Sequence, residues 1–225
     1  MPCPHRSYPP SWRERTDNAF ALAVMRAHPF AHLFTAQRGL HSTRAPFVVD
    51  LQGSDPIALR GHLNAKNPQA EALDGSRVLV TFSGPATYVS PHWRAQPTRG
   101  GTYDYEETVV RGTAHVVATV EFFRTLVDDL STLIEPQYAD VGDYPVWQTS
   151  MAPAGYLERM FPLVTPLRID IDEIQSISKL HQNFPAEDRH SVAEHLSRSH
   201  RQDARAIGHR MREGMAAAEA ERDRS

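Results

Sequence analysis

The chain has 225 residues, enough to bury a hydrophobic core without a metal or a disulfide to staple it. Its formal charge of −3, from 24 basic and 27 acidic side chains, argues against a protein that coats nucleic acid, and no apolar run approaches the roughly 18 residues that span a bilayer. One cysteine, Cys3, allows neither an internal disulfide nor a paired-cysteine metal knuckle, and the N-terminal stretch has no apolar signal core, so a reducing cytoplasm is the expected compartment.

Asp17 to Ala27 carries Phe20 and Val24 at helical spacing, with Asp17 as N-cap and His28-Pro29 as the stop, and predicts an opening helix. Six β-rich runs follow, Ala31–Thr35, Ala45–Leu51, Ile57–Leu63, Arg77–Phe82, Thr87–Ser90 and Glu107–Thr119, bounded by turn residues. Their spacing leaves no room for crossover helices except a brief one over Asn67–Leu73, so an antiparallel barrel is expected. Phe122 to Ile134 repeats apolar residues with helical period up to Pro136, and Pro153–Met160 reads as a second, shorter helix. Thr165 to Ile174 alternates Leu167, Ile169 and Ile171 with charged residues and predicts a half-buried strand. From Pro185 to Glu213 the chain reads as one polar helix, giving a class of α+β: a barrel with peripheral helices and a C-terminal helix. No repeat of 20–50 residues is present.

Four polar blocks can carry chemistry. Gly61-His62-Leu63-Asn64-Ala65-Lys66-Asn67-Pro68 sets an imidazole, a cation and amides at a strand-to-helix turn, which suits an anion and equally suits an ordinary polar turn. His62 can also ligate iron through a neutral ring nitrogen. In the second block, Gly84-Pro85 predicts a tight reversal, and Tyr88 or Trp93 offers a face to a planar ligand. In the third, alternation places Tyr103 and Tyr105 on one strand face and Asp104 on the other, where Asp104 can serve as a base or orient an arginine. The fourth, Ser178-Lys179-Leu180-His181-Gln182-Asn183, reads as a polar loop. Arg44, before an apolar strand, can hold a carboxylate bidentately or simply snorkel.

His190, His195 and His200 recur every five residues, do not share a helical face, and are expected at the surface. Arg198, Arg201, Arg205, Arg210 and Arg212 make a basic stretch that suits phosphates or solvent. The chain has no GxSxG elbow, P-loop, GxGxxG or HExxH, which removes the usual support for hydrolase, kinase, dinucleotide-binding and zincin chemistry.

Taken in order, Pro29-Phe30-Ala31, the Gly61–Pro68 block, Gly84-Pro85 with Tyr88-Val89-Ser90-Pro91-His92-Trp93, Thr102-Tyr103-Asp104-Tyr105, and Lys179-Leu180-His181-Gln182-Asn183 with Asp188-Arg189 resemble the PaiB-type family of FMN-binding split barrels, over about Tyr8 to Leu196. The resemblance implies a split β-barrel related to pyridoxamine-phosphate-oxidase-like flavoproteins, a homodimer with its cofactor between subunits, and no membrane. It places the barrel domain at 1–196, with a polar helical extension at 197–225.

The family also resembles the haem-dependent piperazate synthases of peptide pathways. Here the chain departs from the regulator-like pattern, with Thr43-Arg44-Ala45-Pro46 for Thr-His-Leu-Pro and His181 for Ser, and the departures add guanidinium, carboxylate and imidazole groups. The expectation is therefore a haem b enzyme that closes an N–N bond in an N-hydroxylated ornithine, an amino-acid substrate, with loss of water. His62 is the expected axial ligand, carried by its matched motif. The same matched block puts Lys66 and Asn67 near the cofactor's anions, and chemistry alone assigns Arg44 to the substrate carboxylate, Asp104 or His181 to the proton, and Tyr88, Trp93, Tyr103 and Lys179 to the cofactor. The alternatives are an FMN-binding negative regulator whose Arg-rich C-terminal helix approaches DNA, and a flavin oxidoreductase.

Overall fold

The computed structural model describes residues 14–222 and Arg224, and Cys3 lies outside them. The chain divides into two compact units: Asp17–Ser83 with Thr108–Gln175, and the residues up to Thr16 with Gly84–Glu107 and everything from Ser176 onward.

The larger unit opens with helix α1 (Asn18–Ala27), where the Asp17 carboxylate accepts from Phe20 N at 2.7 Å. Along the chain follow strands β2 (Phe30–Thr35), β3 (His41–Gln52), β4 (Asp55–Asn64), β5 (Arg77–Val89), β6 (Thr102–Val116) and β7 (Val164–Lys179), of which Gly84–Val89, Thr102–Glu107 and Ser176–Lys179 are counted with the smaller unit, as is the two-residue β1 (Glu14–Arg15). The strand order β7-β4-β3-β2-β5-β6 closes through a β6–β7 pairing, so six strands form a barrel and β1 adds to β7. Every other residue points inward: Leu33, Phe47, Leu59, Val80, Phe82, Val110, Leu167 and Ile169 fill the interior, joined by Val24 and Met25 of α1. The class is α+β and the barrel is of the split type, as the sequence predicts.

At Gly61 a Cβ would lie 2.8 Å from both the Phe47 ring and Pro46 O, so glycine is what lets β4 lie against β3 there. Helix α2 (Val120–Ile134) covers the outside of β4: Arg60 Nε donates to Asp50 and Arg60 Nη2 to Asp129 of α2, each at 2.7 Å. Helix α3 (Tyr156–Met160) is shorter than the predicted Pro153–Met160, and Gly155 precedes it in the left-handed region with φ 73°.

The smaller unit is built on helices α4 (Ala186–Ser197) and α5 (Gln202–Arg222), which pack together through Val192, Leu196, Ala204, Ile207 and Met211 with Val89. The predicted single helix is thus two. The apolar stripes of α4 and α5 can cover each other only if the chain reverses, and it does so over Arg198–Arg201, where Ser199 Oγ accepts from Arg201 N. Gly208 makes this contact close, since a Cβ there would lie 3.0 Å from Leu196 Cβ.

Two further expectations change. Gly84-Pro85 is no reversal: β5 runs unbroken from Arg77 to Val89. The buried positions shift from even (Val78, Val80, Phe82) to odd (Thr87, Val89) across this pair, and a Cβ on Gly84 would lie 2.9 Å from Glu106 O. Ser178 and Lys179 belong to the end of β7 rather than to a loop.

Candidate functional site

In the larger unit, Leu59, Gly61 and Leu63 of β4 face the barrel interior, and His62 therefore points outward, beneath α2. Its ring meets Phe123 edge-on at 6.0 Å between centroids. Burial pushes its pKa below the ordinary value, which keeps the imidazole neutral, and Nδ1 is buried without a hydrogen-bond partner. A neutral imidazole with an unsatisfied nitrogen is the form that ligates iron. Among the described residues, no group of three or more His, Cys, Asp or Glu side chains is placed to hold a bare metal ion.

The turn after His62 is ordered by its own amides. Lys66 N donates to Asn64 Oδ1 at 2.9 Å. Asn67 caps the short 3₁₀ helix Pro68–Ala72 through Gln69 N at 2.9 Å and donates to Thr43 Oγ1 at 2.8 Å. That last bond ties the turn to β3 beside Arg44, while the Lys66 side chain is exposed. Arg44 donates from Nη2 to Phe30 O at 2.9 Å, and its guanidinium lies 4.5 Å above the Phe30 ring. His62, Lys66, Asn67 and Arg44 thus belong to this unit.

The smaller unit gathers Asp104, Lys179, His181, Tyr88, Trp93 and Tyr103. On β6 the predicted alternation is seen: Asp104 is fully buried and Tyr103 is 60% exposed. His181 turns the chain after β7 with φ 60°, in the left-handed region, and is buried against the Asp104 carboxylate through Nδ1. Arg94, which the sequence reading overlooked, reaches His181 Nε2 from Nε at 3.2 Å and Nη2 at 3.1 Å. A guanidinium only donates, so Nε2 accepts and Nδ1 carries the proton toward Asp104. Phe184 stacks on His181 at 4.3 Å, and the Arg94 guanidinium lies 4.4 Å from the Phe184 ring centre. Lys179 Nζ sits 3.8 Å from Asp104 Oδ1 and donates to Thr102 Oγ1 and Tyr103 O. Arg94 Nη1 also donates to Arg99 O at 3.1 Å and Gly100 O at 3.0 Å. Both imidazole nitrogens are occupied, and the charges fix the 94–100 segment and the end of β7 to β6, while Asp104 Oδ1 is buried with no hydrogen-bond partner among the described residues.

Beside it, Tyr88 and Tyr103 meet edge-on at 5.9 Å and, with Trp93, Thr87, Ser199 and Arg201, line a cavity of about 340 Å³. Trp93 stacks in turn on His195. His190, His195 and His200 are exposed as expected. The basic stretch is largely engaged: Arg198 pairs with Glu194, Arg205 donates to Ser199 O, Arg210 lies near Glu106 and Glu213, and Arg212 reaches Ser197.

Glu106 is buried next to this cluster, accepting from Ser178 Oγ at 3.1 Å with Arg210 at 3.6 Å. Burial raises its pKa and Glu213 adds to that, against the pull of Arg210, Ser178 and Arg15. A carboxyl raised on folding favours the fold below its unfolded pKa, and that contribution is lost as pH rises through the folded value. Glu106→Gln is therefore expected to raise the melting temperature relative to the parent more at pH 7 than at pH 4; an equal difference at both would show that Glu106 titrates alike in both states.

Residues 7–173, most of the chain, match the family described as “Putative FMN-binding domain”. The chain belongs to this family. The Bacillus subtilis Protease synthase and sporulation protein PAI 2 is 25% identical, over 91% of this chain and 96% of its own. An uncharacterised protein of Emericella nidulans is 28% identical over 75% of this chain and 82% of its own. Among solved structures, the flavocytochrome Anf3 of Azotobacter vinelandii aligns over 75% of this chain and 70% of its own with a TM-score of 0.53 and 16% identity. The FAD and haem binding protein of Mycobacterium smegmatis aligns over 74% and 73% with a TM-score of 0.53 and 14% identity. At that identity these likenesses establish the split-barrel fold. Among the described residues no helix is long and apolar enough to cross a membrane.

Proposed function

We propose that this member of the FMN-binding split-barrel family is a haem-dependent enzyme that joins the two amines of an N-hydroxylated ornithine. The observation that carries the haem half is His62, an outward-facing imidazole kept neutral by burial, neither of whose ring nitrogens is hydrogen-bonded among the described residues. One imidazole would suffice for iron already held by a macrocycle, and such iron, when bound, would supply Lewis acidity toward an N–O bond. Arg44, pinned over Phe30 with part of its fork unused, would hold the substrate carboxylate, and Lys66, on the ordered Asn64–Asn67 turn, would hold the cofactor's anionic groups. In the balanced reaction the α-amine lone pair forms the N–N bond, the N–O bond breaks, and the departing hydroxide takes up the amine's proton as water.

A second reading is an FMN-binding regulator, whose flavin half, though not its regulatory half, is supported by the family match. An absorption spectrum separates the two. A Soret band after haem reconstitution that shifts or is lost in His62→Ala supports the enzyme. A flavin spectrum with no Soret band in either protein removes the haem enzyme, and together with salt-sensitive retardation of promoter DNA it supports the regulator.

A further inference from the structure

On the outer face of the barrel, a cavity of about 430 Å³ is lined by His28, His32, Arg44, Thr81, Gln137 and Tyr138 together with Ser83 and apolar neighbours. Its floor follows from strand register. His32 of β2 stands directly opposite Arg44 of β3 on one side and Thr81 of β5 on the other. Directly opposed residues project to the same face with Cβ atoms about 5 Å apart, so a guanidinium, an imidazole and a hydroxyl form one row across three strands. The inward neighbours Ala31 and Leu33 are buried in the core, which fixes the row on the outside and keeps it from slipping register.

The row is prepared for a ligand it lacks. Arg44 is anchored through one Nη2 bond to Phe30 O and by the Phe30 ring beneath it, and it forms no ion pair among the described residues. His32 is steadied by its stack on Phe34 and by Ser42 Oγ at 3.4 Å from Nδ1, and Nε2 has no partner among the described residues. Among the described residues no aspartate or glutamate lines the cavity to offset the Arg44 charge; Thr81, Ser83 and Tyr138 add only neutral hydroxyls, and the Gln137 amide already donates to Arg26 O and Leu133 O. A guanidinium fork without a carboxylate, at the floor of a cavity in the size range of small-ligand sites, is complementary to a small carboxylate.

We propose that this cavity is a carboxylate site in which His32 and Thr81 act with Arg44, and that its ligand is a small α-amino acid. The carboxylate preference rests on the row alone; the amino acid as ligand rests on the cyclase reading. A cation without a carboxyl group finds no counter-charge here and is rejected.

The test is calorimetric titration of the full chain with L-ornithine, with succinate, and with 1,4-diaminobutane, which is ornithine without its carboxyl group. L-Ornithine is expected to bind and 1,4-diaminobutane not to. Arg44→Gln should weaken binding about tenfold and His32→Ala about threefold, as expected for loss of a charge-assisted fork and of one neutral donor. Arg44→Lys, which keeps the charge without the fork, should fall between the parent and Arg44→Gln, and it stands in if Arg44→Gln does not fold. Succinate binding that depends on Arg44, with ornithine silent, keeps the carboxylate site and removes the amino-acid ligand. Silence from both carboxylates, binding of 1,4-diaminobutane, or affinities that stay within twofold in the Arg44 and His32 variants overturns the proposal.

Discussion

Asp104→Ala is expected to cost the fold about 3–5 kcal/mol, the usual range for removing one partner of a buried charged pair. Asp104 is fully buried and holds the proton of His181 Nδ1, and Lys179 Nζ lies 3.8 Å from its other oxygen. Alanine would leave the His181 N–H unpaired in the interior and the Lys179 ammonium without its carboxylate. Arg94 and Phe184, which rest against the same imidazole, would lose their reference point. Urea unfolding measures the loss. A variant within about 1 kcal/mol of the parent would show that water reaches this cluster and that it is not the lock described above. Asp104→Asn keeps an acceptor for His181 while losing the charge, and should recover part of the difference.

Gly112→Ala is the second large effect. A Cβ at Gly112 would overlap the carbonyl oxygen of Asp170 and lie 2.8 Å from Ile169 Cγ2, so it acts at the β6–β7 pairing that closes the barrel. The obstacle is backbone, which cannot swing aside as a side chain can. We expect a loss of about 3 kcal/mol, or roughly 6–12 °C in melting temperature for a chain of this size. Gly214 of α5 is the control: a Cβ there meets nothing within 4 Å, and Gly214→Ala should stabilise by about 1 kcal/mol through helix propensity. A melting temperature for Gly112→Ala equal to the parent's would mean that the seam yields without cost.

Much of this fold is legible in the sequence because its physics is local. The Asp17 cap, the alternation of Leu167, Ile169 and Ile171, and the Phe122–Ile134 period each need only near neighbours to be interpreted. The errors fall where a residue's meaning is set by a distant partner. Gly84-Pro85 looks like a turn, yet the glycine is there for the approach of Glu106 O. Ser178 looks solvated, yet it is buried, its hydroxyl donating a hydrogen bond to Glu106. The α4–α5 reversal is hidden because both apolar stripes are thin in a polar segment. In the candidate site, Asp104 and His181 are recognisable by type, and their meeting is not, being 77 residues apart in the chain. Arg94 and His32 are missed for the same reason: nothing in Trp93-Arg94-Ala95 announces a buried guanidinium. Only strand register shows that His32 faces Arg44.

The position of β7 in the barrel bears on how the chain reaches its fold. β2, β3 and β4 pair with sequence neighbours through short connections, whereas β7 pairs Asp170 with Ala58 across most of the barrel's length of chain. Such closure meets its loop-entropy cost before any contact offsets it, so we expect it to be the slow step of refolding. During synthesis the β2–β4 meander can form early, but until Val164–Lys179 has left the ribosome both β4 and β6 present an unpaired edge. A chain halted before β7 therefore carries two open strand edges, the kind of surface that recruits other chains. Full-length translation is what separates a closed barrel from a template for aggregation.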